Sequence, residues 1–209
     1  MIITVVCLLS FCVAPAEATW VTIEITAEVD AVEDSGNYLE GQINPGDTIT
    51  GSYIYESTTL DSSPLDPIVG HYWHYAVPAG ISLFVNGFEF RTDPSNVEFL
   101  VGIVNDNASG DDIYWVDSYN NLPLSNGTLV DTIVWQLDDP TGTALSSDAL
   151  PTTPPVLGDW QSMVGLRLDG ERAGWGIDAT VTSAIPEPST ILLLGMGALI
   201  LCRRTPKKK

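Results

Sequence analysis

Residues 19–185 contain no lysine and no cysteine. Cys7 and Cys12 sit in an N-terminal apolar run and Cys202 in a C-terminal one. The middle of the chain can therefore hold neither a disulfide framework nor a Cys-ligated metal. Positive charge is nearly missing there too, with 25 acidic residues against Arg91, Arg167 and Arg172. Phosphate binding needs a Lys/Arg surface, so nucleic acid is excluded as a partner. Histidine occurs twice, as His71 and His74, which leaves few bases for nucleophilic catalysis. There is no Gly-x-Ser-x-Gly elbow, phosphate loop or His-Glu-x-x-His helix. No residue is assigned a catalytic role, no cofactor is expected beyond a weak calcium ion, and the chain is not expected to be an enzyme.

The two ends of the chain are apolar. Ile2–Val13 is followed by Ala14-Pro15-Ala16-Glu17-Ala18. A short apolar run, a helix-breaking proline and small residues at Ala16 and Ala18 describe a secretory signal peptide, residues 1–18, cut by signal peptidase after Ala18. The positively charged start that usually opens such a peptide is missing from Met1-Ile2-Ile3-Thr4. At the other end, residues 189–202 (STILLLGMGALILC) are uncharged, and Arg203, Arg204 and three lysines follow. As a helix this run spans about 21 Å, short of a ~30 Å hydrocarbon core. Its basic flank nevertheless obeys the positive-inside rule, and Arg203 and Arg204 can snorkel. A membrane anchor carried by Ile191, Leu192, Leu193, Leu194, Leu199, Ile200 and Leu201 is the expectation, with residues 19–184 exported as one domain.

Pro186-Glu187-Pro188, an apolar helix containing Gly195 and Gly197, and a basic terminus occur in that order over residues 185–209. This arrangement resembles the PEP-CTERM sorting signal. The resemblance implies an exported protein handled by an exosortase, a membrane protease, and linked to exopolysaccharide and biofilm matrix. It makes Pro186, Glu187 and Pro188 the recognition motif, passing through the inner membrane to the cell surface or medium. The chemistry of the triplet agrees, because two prolines fix φ and remove donors, which keeps the segment extended and out of the helix. A protease cleft can accept such a segment.

Between the ends no stretch of a dozen residues keeps a helical period, and short β-branched and aromatic runs alternate with turn residues. In Trp20–Val29, residues 21, 23, 25, 27 and 29 are apolar and point one way. Thr48–Glu56 reads as a second strand, and Ile81–Thr92 as a hairpin about Asn86-Gly87. Further strands are expected at Val97–Asn105, Asp112–Ser118, Thr132–Leu137, Gln161–Leu168 and Trp175–Ser183, with Asp169-Gly170 turning between the last two. Ser57–Pro67 and Thr141–Pro155 read as long surface loops. The expected fold is all-β, an antiparallel β-sandwich or jelly roll. Gly51-Ser52-Tyr53-Ile54-Tyr55, the Asp61–Pro67 loop and Gly70-His71-Tyr72 resemble a β-rich module common in exported PEP-CTERM proteins, which implies no particular chemistry.

Three groups are candidate sites. His71 and His74 are three apart, and on a strand such residues point to opposite faces, so they read as separate side chains. Asn105–Asp112 is the densest run of oxygen ligands. Val116 stands where an EF-hand needs glutamate, so only a weaker calcium loop using Asp106, Asp111 and Asp112 is in question, beside the reading of an ordinary solvated turn. Finally, Trp73, Trp115, Trp135, Trp160 and Trp175 with Tyr72, Tyr75, Tyr114 and Tyr119 have flat faces that suit sugar rings, although a β core consumes many of them. A surface or matrix protein is the leading reading, with a carbohydrate-binding module or a secreted polysaccharide hydrolase as alternatives. Replacing Pro186, Glu187 and Pro188 by alanine should leave the protein membrane-bound with Lys209 attached. Mass spectrometry of cell and medium fractions checks this, and equal release of wild type and variant would contradict it.

Overall fold

A computed structural model describes residues 19–170 and 174–187. The signal peptide and the apolar C-terminal run, including Ala16, Ala18, Pro188, Ile191–Leu194, Leu199–Leu201, Arg203 and Arg204, lie outside the described residues. Among the described residues there are ten strands: β1 (Trp20–Asp34), β2 (Thr48–Glu56), β3 (Val69–His74), β4 (Gly80–Val85), β5 (Phe88–Arg91), β6 (Phe99–Val104), β7 (Asp112–Ser118), β8 (Thr132–Asp139), β9 (Met163–Gly170) and β10 (Trp175–Pro186). A 3-10 turn at Leu157–Asp159 interrupts the loop before β9.

All ten strands form one antiparallel sheet in the order β3-β6-β7-β8-β9-β10-β1-β2-β4-β5. The all-β antiparallel expectation is met, but the strands do not divide into the two separately bonded sheets that a sandwich or jelly roll implies. The sheet curls so that its inner face meets itself. Two register shifts in the β1–β10 ladder, at Thr26/Ala27 and Val29/Ala31, locate part of the bend, since bulges sharpen the right-handed twist. The curl brings β2 over β7 and β8, strands far from it in the hydrogen-bonded order. Tyr53 meets Trp135 edge-on at 5.6 Å, and the Tyr53 and Tyr114 hydroxyls lie 2.9 Å apart in the core. Phe90 of β5 likewise reaches Trp175 of β10 at 5.7 Å.

The alternation read in β1 is realised, with Ile23, Ile25, Ala27 and Val29 in the core and Val21 packed at its margin. The hairpin turn is also as expected, since Asn86 and Gly87 have φ of 45° and 90°, the left-handed pair that a two-residue turn requires. Two local expectations are corrected. Asp169-Gly170 is not a turn: Asp169 pairs with Gly176 and Gly170 with Trp175. The chain turns beyond them, where Gly174 has φ 78° and donates to the Gly170 carbonyl at 2.7 Å. Strand β3, absent from the expected set, is a six-residue edge strand hidden beside the Asp/Pro-rich loop.

Both long loops are pinned to the sheet. In the 57–67 loop, Ser62 N–H donates to the His71 carbonyl at 2.9 Å and Asp61 accepts from His71 N–H at 2.9 Å. These bonds cover part of the free edge of β3, an edge that would otherwise invite another chain. The 141–155 loop closes one end of the curled sheet. The Tyr55 hydroxyl donates to the Pro151 carbonyl at 2.8 Å and the Tyr72 hydroxyl to the Asp148 carbonyl at 2.8 Å.

The Tyr53–Tyr114 contact gives a direct test of the closure. Tyr53→Phe or Tyr114→Phe alone strands one buried hydroxyl and should cost about 1–3 kcal/mol, whereas the double variant removes both polar groups. Denaturant melts should therefore show the double variant losing clearly less than the sum of the singles. Strict additivity would mean that the two hydroxyls do not interact.

Candidate functional site

Cations are so scarce that few carboxylates of the described residues find ionic partners. Glu89 pairs with Arg91, and Asp169 and Asp178 pair with Arg167. Many of the others accept backbone N–H groups at turns. Asp34 takes Tyr38 and Leu39 N–H, and Asp61 takes Ser63 and His71 N–H. Asp112 and Asp139, paired across β7 and β8, are fully buried. Asp139 accepts from the N–H groups of Thr141, Thr143 and Ala144 and from both threonine hydroxyls. The Thr143 amide leads these donors in holding its carboxyl down at about 2, because hydrogen bonds to the charged form favour ionisation.

The proposed calcium loop follows the same pattern. Asp112 accepts Asp106 N–H at 2.9 Å on one oxygen and Leu145 N–H at 2.8 Å on the other. Asp111 is held by the Asn107 side-chain amide at 3.3 Å, while Asn107 Oδ1 accepts Ser109 and Asp111 N–H at 2.7 and 3.0 Å. The structure does not bring Asp106, Asp111 and Asp112 together as ligands, and among the described residues no group of three or more His, Cys, Asp or Glu side chains could hold a metal. The histidines separate as expected. His71 is on the outer face and His74 is in the core. There His74 Nε2 lies 3.2 Å from Glu56 N and 3.0 Å from the Thr59 hydroxyl, and burial lowers its pKa.

Of the nine aromatic side chains singled out as sugar platforms, Trp135, Trp160, Trp175, Tyr72 and Tyr114 are core residues. The other four gather on the outer face of β3, β6 and β7. The register sets His71, Gly102 and Trp115 in one row and Trp73, Leu100 and Asp117 in the next. Tyr75 and Tyr119 extend the patch past the strand ends and are 67% and 39% exposed, enough to meet a ligand. Trp73 is the hub, parallel to Tyr75 at 6.0 Å with 7° between planes and 5.5 Å from Tyr119. His71 stands edge-on to Trp115 at 5.7 Å. Gly102 makes this possible, since a Cβ there would lie 2.1 Å from Trp115 Cζ2.

Beyond Trp115 the face continues without a break. Gln136 pairs with Trp115 on one side and with Gly165 on the other. Gly165 lines a groove of about 450 Å³ with Gln136, Arg167, Asp178, Thr180 and Asp30. Arg167 donates to Asp169 through Nε and to Asp178 through Nη1, both at 2.8 Å, and these two carboxylates raise its pKa further. Thr180 donates to Asp30 at 2.8 Å. Sequence reasoning missed this groove. Alternation in β8 turns Gln136 outward, but only the β8–β9–β10–β1 register assembles the other residues.

The C-terminal segment joins the sheet before it leaves the described residues. Pro186 pairs with Ile23, and Glu187 N–H donates to the Thr22 carbonyl at 3.3 Å. Residues 184–208 match the family described as the PEP-CTERM protein-sorting motif. The chain thus carries a PEP-CTERM sorting motif, which supports an exported protein sorted by an exosortase, a membrane enzyme. No curated protein and no solved structure matches it. Among the described residues no helix is long and apolar enough to cross a membrane.

Turn anchoring and ion binding make opposite predictions for the acidic residues. Sodium chloride should raise the melting midpoint of the chain as the Debye length falls from ~30 Å at 0.01 M to ~8 Å at 0.15 M. Millimolar calcium should then add nothing at high salt. Asp112→Ala, which strands two backbone donors, should cost about 1–3 kcal/mol for each. A calcium-dependent rise at 0.15 M salt that Asp111→Asn abolishes would restore the metal site.

Proposed function

We propose that this exported protein is a non-catalytic component of the cell surface or extracellular matrix, and that it associates with exopolysaccharide or biofilm through the outer face of β3, β6 and β7. The observation that carries this reading is the grouping of Trp73, Trp115, Tyr75 and Tyr119 on one face beside a groove of mixed lining, whereas Trp20, Tyr38 and Phe84 are exposed singly elsewhere. Aromatic faces pack against the C–H faces of sugar rings, and the rings are large apolar surfaces whose exposure otherwise has no compensation. Gln136, Thr180 and Arg167 supply donors and acceptors along the adjoining groove, the mixture of apolar platform and few polar groups expected of a ligand site.

Binding without chemistry is favoured by the state of the groove carboxylates. Asp178 is engaged by Arg167 and Asp30 by Thr180. An open, extended face also suits a polymer better than a small substrate.

Affinity electrophoresis of the full chain through gels containing exopolysaccharide tests the proposal. Wild type should be retarded, and Trp73→Ala with Tyr75→Ala should lose the retardation while the melting midpoint moves by no more than a few degrees. Base–aromatic and ring-stacking losses of this kind are on the order of 1–3 kcal/mol per platform, about ten- to hundred-fold in affinity. Unretarded wild type, or retardation unchanged in the double variant, would refute binding through this face.

A further inference from the structure

The aromatic patch includes His71 and is accompanied by negative charge and, among the described residues, by no lysine or arginine. Asp117 sits in the row of Trp73 and Leu100, two residues before Tyr119 on the same face of the chain. Its Oδ1 is enclosed without a hydrogen-bond partner, its carboxylate is also tied to the Tyr119 side chain, and burial raises its pKa. Glu98 lies beside Tyr119, whose N–H donates to the Glu98 carbonyl at 3.1 Å, and its carboxylate accepts the Asn120 side chain at 2.8 Å. Both described arginines are engaged elsewhere, Arg91 with Glu89 and Arg167 with Asp169 and Asp178.

This combination selects among glycans. An anionic polysaccharide meets the repulsion of an exported domain whose 25 acids face three arginines. A neutral sugar can stack on Trp73 but gives the carboxylates nothing. A sugar ring bearing an ammonium group satisfies both: its C–H face lies on the indole, and its positive charge faces the ring quadrupoles and the carboxylates, an attraction of ~0.5–2 kcal/mol per cation–π contact. Building on the glycan-binding reading above, we propose that the Trp73–Tyr75–Tyr119–Trp115 face with Asp117 recognises amino-sugar units with free ammonium groups, that is, a hexosamine polymer that is at least partly de-N-acetylated.

Isothermal titration separates this from simple charge attraction. The full chain, in a non-glycosidic detergent and 0.15 M sodium chloride, is titrated with a glucosamine hexamer, its N-acetylated counterpart and a neutral glucose hexamer. The expected result is at least tenfold tighter binding of the glucosamine hexamer. Asp117→Asn should erase that preference. Glu28→Gln changes the net charge equally on an exposed residue of β1 and should preserve it. Equal affinity of wild type for the three hexamers, with loss of all binding in Trp73→Ala, would overturn the amino-sugar assignment and leave the glycan reading standing. Equal weakening by Asp117→Asn and Glu28→Gln would overturn the assignment too, since it reveals non-specific attraction. Binding of none of the hexamers would refute both proposals for these classes of glycan.

Discussion

A single sheet of ten strands has one apolar face and two edges, and it can bury that face only by folding over on itself. The contact of Tyr53 with Tyr114 and Trp135 is where the folding-over meets. Once β2 lies above β7 and β8, β5 is carried towards β10, and the residue after β5, Thr92, bridges to Asn121 beyond β7. The end left open is closed by the 141–155 loop through Tyr55 and Tyr72. Core aromatics therefore serve two purposes, filling volume and aiming hydroxyls at the loop backbone. The same curl turns the opposite face of β3, β6 and β7 outward, where Trp73, Tyr75, Trp115 and Tyr119 stand with His71 and Asp117.

With almost no cations, the domain uses its acids as local acceptors. A carboxylate that takes two or more backbone N–H groups fixes a turn without needing a distant partner. Asp112 and Asp139 show the extreme form, buried side by side and held by two different loops. Replacing lysine–carboxylate pairs with these turn anchors preserves the large negative charge of the surface, because the anchors neutralise nothing. The field outside the domain follows from the way the turns are made.

The sorting motif is continuous with the fold. β10 reaches Pro186, so the first residues of the motif are a strand paired with Ile23–Ile25, close to the start of the described chain. Pro186 contributes no N–H, and the ladder ends one residue later at the Glu187–Thr22 bond. The start of β1 and the first residues of the sorting motif thus lie at the same end of the β1–β10 pair.

Local chemistry was legible in the sequence. Period-two alternation marked β1, β-branched and aromatic runs between turn residues marked β2, β7 and β8, Asn86-Gly87 marked its hairpin, and the order of Pro-Glu-Pro, apolar run and basic tail marked the sorting signal, because each of these depends on neighbours along the chain. Other features depend on partners far away in sequence. Nothing local distinguishes Trp73 from Trp135, since both lie on alternating strands, and the direction of the curl decides which of them is buried. The sequence left Asp112 between a weak calcium ligand and a solvated turn, and nothing local foretold that Leu145, 33 residues on, would donate to its second oxygen. Gln136, Gly165 and Thr180 became neighbours only through strand register. The sequence by itself determined most of the strands, the Asn86-Gly87 turn and the C-terminal sorting motif. Tertiary structure alone decided which aromatics and which acids face outward, because that depends on which face of a continuous sheet is folded in.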